Sequence, residues 1–92
     1  MIVEWSDEAR EDFDQAIAYL EVRSPAGADR IALRIFEAVR QLETFPRIAP
    51  PSRHRGLRQL VVRQTPYLVV YRVEPDRVEI HAIIHAKRKR RK

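Results

Sequence analysis

The chain lacks the residues on which several common kinds of protein chemistry depend. None of its 92 residues is cysteine, which excludes a disulfide framework and a thiolate nucleophile. Only Gly27 and Gly56 are glycines, so the chain has no glycine-rich loop to hold a nucleotide. No apolar run approaches the length of a membrane span, and the N-terminus shows no signal-peptide pattern. We therefore expect a cytoplasmic protein that makes no membrane contact.

Acidic residues are absent from the middle of the chain. Residues 44–73 contain six arginines and no Asp or Glu, whereas residues 1–43 contain ten acidic and five basic residues. Residues 87–92 are all Lys or Arg, and their summed charge exceeds the net charge of +5 of the whole chain. Such an asymmetric distribution favours an oppositely charged partner, either a nucleic acid or an acidic protein. Solvation of an exposed sheet is the alternative explanation for the arginines.

Apolar periodicity in the first half predicts a strand followed by two helices. Residues 1–5 are mostly apolar and predict the strand. Ser6 then caps a helix that ends near Arg23, because Pro25 disfavours helical dihedrals at the residue before it. Pro25 itself begins a second helix, which Pro46 stops. A connection of one or two residues makes these helices an antiparallel hairpin.

Three apolar runs in the second half predict a sheet. The runs lie at 61–62, 67–73 and 78–84, and the short breaks between them allow only antiparallel neighbours. The first strand is expected to join them. The predicted fold class is α+β, with an N-terminal strand and an antiparallel helical hairpin packed on a twisted antiparallel sheet of about four strands. Residues 1–86 form one domain, and 87–92 form a basic tail.

Titratable residues give only weak signs of a catalytic or metal site. His81 and His85 lie four residues apart on one strand, which separates them by roughly 13 Å, too far to share one ion. RNA cleavage needs a base, an acid and cations around the phosphate. Residues that could supply these groups are Arg58, Arg72, His81, His85 and Arg88. A solvated or partner-paired strand face is the preferred explanation for them, and no metal or cofactor is predicted.

The order of elements and several motifs resemble the RelE/ParE superfamily of bacterial toxins. The motifs are Trp5-Ser6, Asp12-Phe13, the strand GLRQLVV at 56–62, the strand YLVVYRV at 67–73, and the ending His85 with Arg88. The resemblance covers residues 1 to about 88. It implies that the chain is the toxin of a type II toxin–antitoxin pair. It also implies that the helical hairpin packs on the sheet.

Leu68 bears on which branch of the superfamily the chain resembles. The ribosome-dependent ribonuclease branch carries an arginine directly after the aromatic that opens the penultimate strand, and Leu68 occupies that place here. That branch also has a C-terminal tyrosine and a lysine cluster, and both are missing. The resemblance is therefore closer to ParE, which implies inhibition of DNA gyrase without catalysis. The alternatives are an mRNA endoribonuclease using Arg58, Arg72, His85 and Arg88, and a degenerate member that only binds a partner.

The resemblance also implies a cognate antitoxin, a ParD-like ribbon-helix-helix protein with an amphipathic C-terminal segment. Leu33 and Phe36 widen the apolar stripe of the second helix beyond one face, which predicts a surface for this partner. Acidic residues of the same partner are expected to face the sheet. The sheet residues predicted for this contact are Arg58, Arg63, Tyr67 and Arg72.

The C-terminal end is the predicted contact for the target. Its residues are His85, Lys87, Arg88, Lys89 and Arg90. The like charges of the tail repel one another, so we expect the free tail to be mobile. Contact with nucleic acid through the tail would release counterions and depend steeply on salt.

Overall fold

The chain folds as two helices packed on one side of a four-stranded sheet, in a computed structural model that describes residues 1–87. The elements in order are β1 (Ile2–Trp5), α1 (Asp7–Arg23), α2 (Pro25–Thr44), β2 (Arg58–Val61), β3 (Tyr67–Val73) and β4 (Arg77–His85). This confirms the predicted α+β class and the predicted order of elements. Most of the predicted basic tail, residues 88–92, lies outside the described residues.

Two serines set the boundaries of the helices. The Ser6 hydroxyl accepts a hydrogen bond from the Ala9 amide at 3.0 Å, as an N-cap does. The Ser24 hydroxyl accepts in the same way from the Gly27 amide at 3.0 Å. Because the Ser24 amide donates to the Leu20 carbonyl, this one residue also closes the preceding helix. Both helices are therefore confirmed, and the connection predicted at one or two residues is Ser24 alone.

The sheet has the strand order β1-β4-β3-β2. Strands β2, β3 and β4 form the predicted antiparallel meander. Strand β1 pairs with β4 in parallel, with Val3 opposite Val78, so the sheet is mixed rather than wholly antiparallel. A short loop forces antiparallel pairing, but β1 and β4 are separated by most of the chain, and the intervening helices allow a parallel return.

The core lies between the hairpin and one face of the sheet. Tyr71 is the largest fully buried residue, and Ile35 and Leu42 of α2 belong to the same cluster. Strand alternation places Tyr67, Val69 and Tyr71 on this helix-facing side, and Leu68, Val70 and Arg72 on the opposite side. Leu68 is nevertheless only 8% exposed. Its cross-strand neighbours are Val61 and Ile84, so apolar side chains flank it on both sides.

Candidate partner-binding surfaces

Three aromatic rings meet at the surface where the hairpin crosses the β1 edge of the sheet. The ring centroids of Trp5 and Phe13 are 5.9 Å apart, and those of Phe13 and Phe36 are 5.0 Å apart. The Trp5 and Phe36 centroids complete the triangle at 6.3 Å. A cavity of about 200 Å³ opens here, bordered also by Arg10 and Asp14. We call this surface the aromatic groove.

The second helix lines the aromatic groove with Phe36 and carries Leu33 next to it, outside the lining. Phe36 is 51% exposed and Leu33, one helical turn before it, is 57% exposed. Both residues were singled out from the sequence, and the structure places both on the surface. Trp5 lies in the predicted first strand and Phe13 in the predicted first helix, and both pack against the core. Sequence missed their second role, because periodicity does not show how far a stripe extends beyond the edge of the sheet.

The predicted basic face of the sheet is not assembled. Arg58 lies directly opposite Tyr71 in the β2–β3 pair and so shares its helix-facing side. Its Nη1 donates to the Ala49 carbonyl at 2.7 Å. Arg72 is the next residue after Tyr71 and points to the opposite side of the sheet. Arg58 and Arg72 therefore lie on opposite faces of the sheet, whereas the exposed Arg63 lies in the β2–β3 turn.

Two of the residues proposed for RNA cleavage, Arg58 and His85, also lie apart on the sheet. His85 pairs with Tyr67 on β3, and their rings meet edge to face at 5.3 Å between centroids. Arg58 pairs with Tyr71, four residues further along β3, which is roughly 13 Å away along the strand. The His85 Nδ1 accepts from the Lys87 amide at 3.2 Å. Arg88 lies outside the described residues, as do Lys89 and Arg90 of the predicted target contact.

An ion-pair network occupies the other end of β4. Arg77 contacts three carboxylates, those of Glu4, Asp76 and Glu79. The hydrogen bond from Arg77 is the main cause that lowers the pKa of Glu79, and a contact with His81 at 3.3 Å lowers it further. Within residues 1–87 no group of three or more His, Cys, Asp or Glu side chains is placed to hold a metal ion.

Asp12 joins α1 to the part of β4 that β1 does not reach. Strand β1 ends opposite Ile80, and the Asp12 Oδ2 accepts from the Ile83 amide at 3.0 Å beyond that point. Burial raises the pKa of Asp12, and this effect outweighs the hydrogen bond from Ile83, which lowers it. Beside it is a cavity of about 230 Å³ lined in part by Tyr67 and His85.

The proline-rich segment 46–56 is fastened to the sheet through Ala49. The Ala49 amide donates to the Tyr71 hydroxyl at 3.4 Å, and the Ala49 carbonyl accepts from Arg58. Burial raises the pKa of the Tyr71 phenol, while the Ala49 hydrogen bond and the charges of Arg58 and Arg47 act to lower it. The segment is thus held to the sheet at Ala49, which is buried.

Neither helix of residues 1–87 has the length and apolar character needed to cross a bilayer.

Comparison with known proteins places the chain among toxins. Residues 3–90 match the sequence profile described as the ParE toxin of the type II toxin–antitoxin system parDE. The protein Y4kP of Sinorhizobium fredii, which is named as a toxin, is 36% identical over 84 residues, covering 91% of this chain and 86% of Y4kP.

Solved structures show the same fold. A chain of the chromosomal ParDE toxin–antitoxin system from P. aeruginosa superposes with a TM-score of 0.83 at 25% identity, covering 92% of this chain and 95% of the other. The YoeB/ParE toxin from Agrobacterium tumefaciens shares the fold alone, with a TM-score of 0.67 at 18% identity over 92% of this chain and 98% of that one. The chain therefore belongs to the ParE toxin family of type II toxin–antitoxin systems.

Proposed function

We propose that this ParE-type toxin inhibits DNA gyrase in the cytoplasm and that a cognate antitoxin neutralises it by docking in the aromatic groove. The observation that supports the docking site is the half-exposed Phe36, which closes a triangle of rings at the surface. Exposed aromatic and aliphatic side chains clustered in a concave surface are typical anchors for the apolar face of a partner helix. The antitoxin segment is accordingly an amphipathic helix.

Leu68 supports gyrase over the ribosome as the target. The ribonuclease branch of the superfamily carries an arginine at the position of Leu68, and an arginine can stabilise charge on a phosphate. Leu68 cannot, and it is buried between Val61 and Ile84. The remaining candidates do not compensate, because Arg58 and Arg72 lie on opposite faces. The proposal is therefore a toxin that acts by binding rather than by cleaving RNA.

The double variant Leu33→Ala/Phe36→Ala tests the docking site. Complete burial of either side chain is worth about 1.5–3 kcal/mol, and roughly half of each remains exposed before the partner binds. We expect antitoxin affinity to fall by about 1.5–3 kcal/mol, roughly 12- to 150-fold in Kd. The measurement is isothermal titration of the toxin with the C-terminal segment of the ribbon-helix-helix protein encoded beside it.

Val22→Ala is the matched control. Val22 is the most exposed large apolar residue of the hairpin at 83%, and it lies near the end of α1, whereas Leu33 lies one helical turn from the groove residue Phe36. We expect this variant to bind the antitoxin segment with unchanged affinity. Equal affinities for the double variant and the control would refute docking in the aromatic groove.

A further inference from the structure

A tight turn between α2 and β2 presents cations on a rigid frame. We call residues 52–56, Ser-Arg-His-Arg-Gly, the basic turn. The Ser52 amide donates to the Leu57 carbonyl at 2.8 Å, and the Leu57 amide donates to the His54 carbonyl at 3.0 Å. The Ser52 hydroxyl accepts from the His54 amide at 3.0 Å. These bonds close the turn on itself, so its side chains project from a fixed backbone.

The turn is also tied to the sheet on both sides. Pro51 forms a bridge with Arg58 of β2, and Ala49 is held by the Tyr71 hydroxyl and by Arg58. A ligand that binds the turn therefore does not have to order a flexible loop, which removes one of the usual entropic costs of binding.

Arg72 extends the charge of the basic turn onto the outer face of the sheet. Gly56 has a φ of +79°, and a Cβ at this position would lie 3.0 Å from Arg72 Nη1. The absence of a side chain thus lets the guanidinium lie against the backbone of the turn. Arg72 has one long ion pair, 3.7 Å from its Nε to Glu74 Oε2, and its side chain is 41% exposed.

The other cations of the turn are unpaired. Arg53 and Arg55 are exposed, and neither contacts a carboxylate within residues 1–87. Arg77, by contrast, contacts three carboxylates. No acidic residue occurs anywhere in 44–73, so the turn has no counterion among its neighbours in sequence, and among the described residues the carboxylate of Glu74 pairs only with Arg72 at 3.7 Å.

The chemistry of the turn favours phosphate over an acidic protein as its ligand. A protein interface usually has an apolar centre, and residues 52–56 include no apolar side chain. Arginine matches phosphate oxygens with two parallel hydrogen bonds, and binding that uses only such contacts tolerates any sequence. We propose that the basic turn and Arg72 form a contact surface for the phosphate backbone of nucleic acid.

This surface is separate from the aromatic groove. Trp5 of the groove belongs to β1, the basic turn adjoins β2, and these strands are opposite edges of the sheet. Three strand spacings separate them, about 14 Å. The two surfaces can therefore be altered independently, and the inference stands whether or not gyrase is the target of the toxin.

Binding to a fluorescently labelled DNA duplex of 20 base pairs tests the inference without gyrase or ribosomes. Anisotropy titrations between 50 and 200 mM salt give the slope of log affinity against log salt concentration. The test variant is Arg53→Gln/Arg55→Gln, and Arg72→Gln is a second, separate variant. The control is Arg30→Gln/Arg40→Gln, which removes the same charge from exposed positions of α2.

Loss of two phosphate contacts should reduce the slope by about 1.8, and Arg72→Gln should reduce it by about 0.9. Over a fourfold change in salt, the Arg53/Arg55 variant should therefore lose about tenfold less affinity than the unmodified protein. The control should keep the original slope. Thermal melting of each variant confirms that the fold is retained.

Three outcomes would overturn the inference. An unchanged slope for the Arg53/Arg55 variant would mean that other cations, such as those of residues 87–92, make the contacts. An equal reduction in the control would mean that only net charge matters. Binding of a polyglutamate of equal charge as tightly as the duplex would identify an acidic protein, rather than nucleic acid, as the ligand.

Discussion

Two substitutions of Asp12 separate the stabilisation by its hydrogen bond from the destabilisation by its partly buried charge. Asp12 accepts from the Ile83 amide on a part of β4 that β1 does not cover, and Ile83 is buried. Asp12→Ala leaves this amide without its acceptor, which costs about 1–3 kcal/mol. For a domain of this size each kcal/mol lowers Tm by about 4–8 °C. Asp12→Asn keeps a carbonyl oxygen for the same hydrogen bond and should retain stability at pH 7.

Urea unfolding followed by the fluorescence of Trp5, the only tryptophan, measures these changes. The pH dependence adds a second test. Burial raises the pKa of Asp12 above its ordinary value of 3.8, so the folded state favours the protonated form. The resulting stability is fully present below that value and is lost as the pH rises through the folded pKa. Lowering the pH should therefore shift the difference between the unmodified protein and Asp12→Asn in favour of the unmodified protein.

Equal unfolding midpoints for Asp12→Ala and the unmodified protein would refute the role of the hydrogen bond. A large destabilisation by Asp12→Asn at pH 7 would refute the sign assigned to the charge, because it would mean that the ionised carboxylate stabilises the fold.

Two further predictions concern stability. Ser24→Ala removes the hydroxyl that caps α2 and should lower the free energy of unfolding by about 0.5–2 kcal/mol, measured by the same urea method, and an unchanged free energy would contradict the cap. Glu79 has the opposite pH dependence from Asp12: Arg77 and His81 lower its pKa from 4.5, so its contribution is present above that pH and is lost as the pH falls through the folded pKa. The stability advantage of the unmodified protein over Glu79→Gln should therefore disappear on acidification, and an advantage that grows in acid would contradict the ion-pair geometry.

Local sequence signals were sufficient to predict the helices and strands of the fold. Ser24 followed by Pro25 can end one helix and begin the next, and the structure uses the pair in this way. The direction of β1 was not accessible by the same reasoning. Its partner β4 is distant in sequence, and pairing between distant strands depends on how the whole chain returns, which no local pattern encodes.

The candidate surfaces were predicted only in part for a related reason. The exposure of Leu33 and Phe36 followed from excess apolar residues on one helix, but Trp5 and Phe13 reach the same surface from two other elements. Arg58 and Arg72 do not share one face of the sheet, because adjacent residues of a strand point to opposite sides. The sequence did not reveal that Arg58 lies opposite Tyr71 rather than opposite Arg72, since this depends on the register of the β2–β3 pair.

A paired assay of the purified toxin tests the central claim that it acts on gyrase rather than on RNA. Relaxed plasmid with gyrase and ATP reports supercoiling, and programmed ribosomes with labelled mRNA report cleavage, at the same toxin concentrations. We predict loss of supercoiling while the mRNA remains intact, because Leu68 replaces the arginine of the ribonuclease branch. Cleavage of mRNA that Arg72→Ala abolishes, with supercoiling unaffected, would contradict the account.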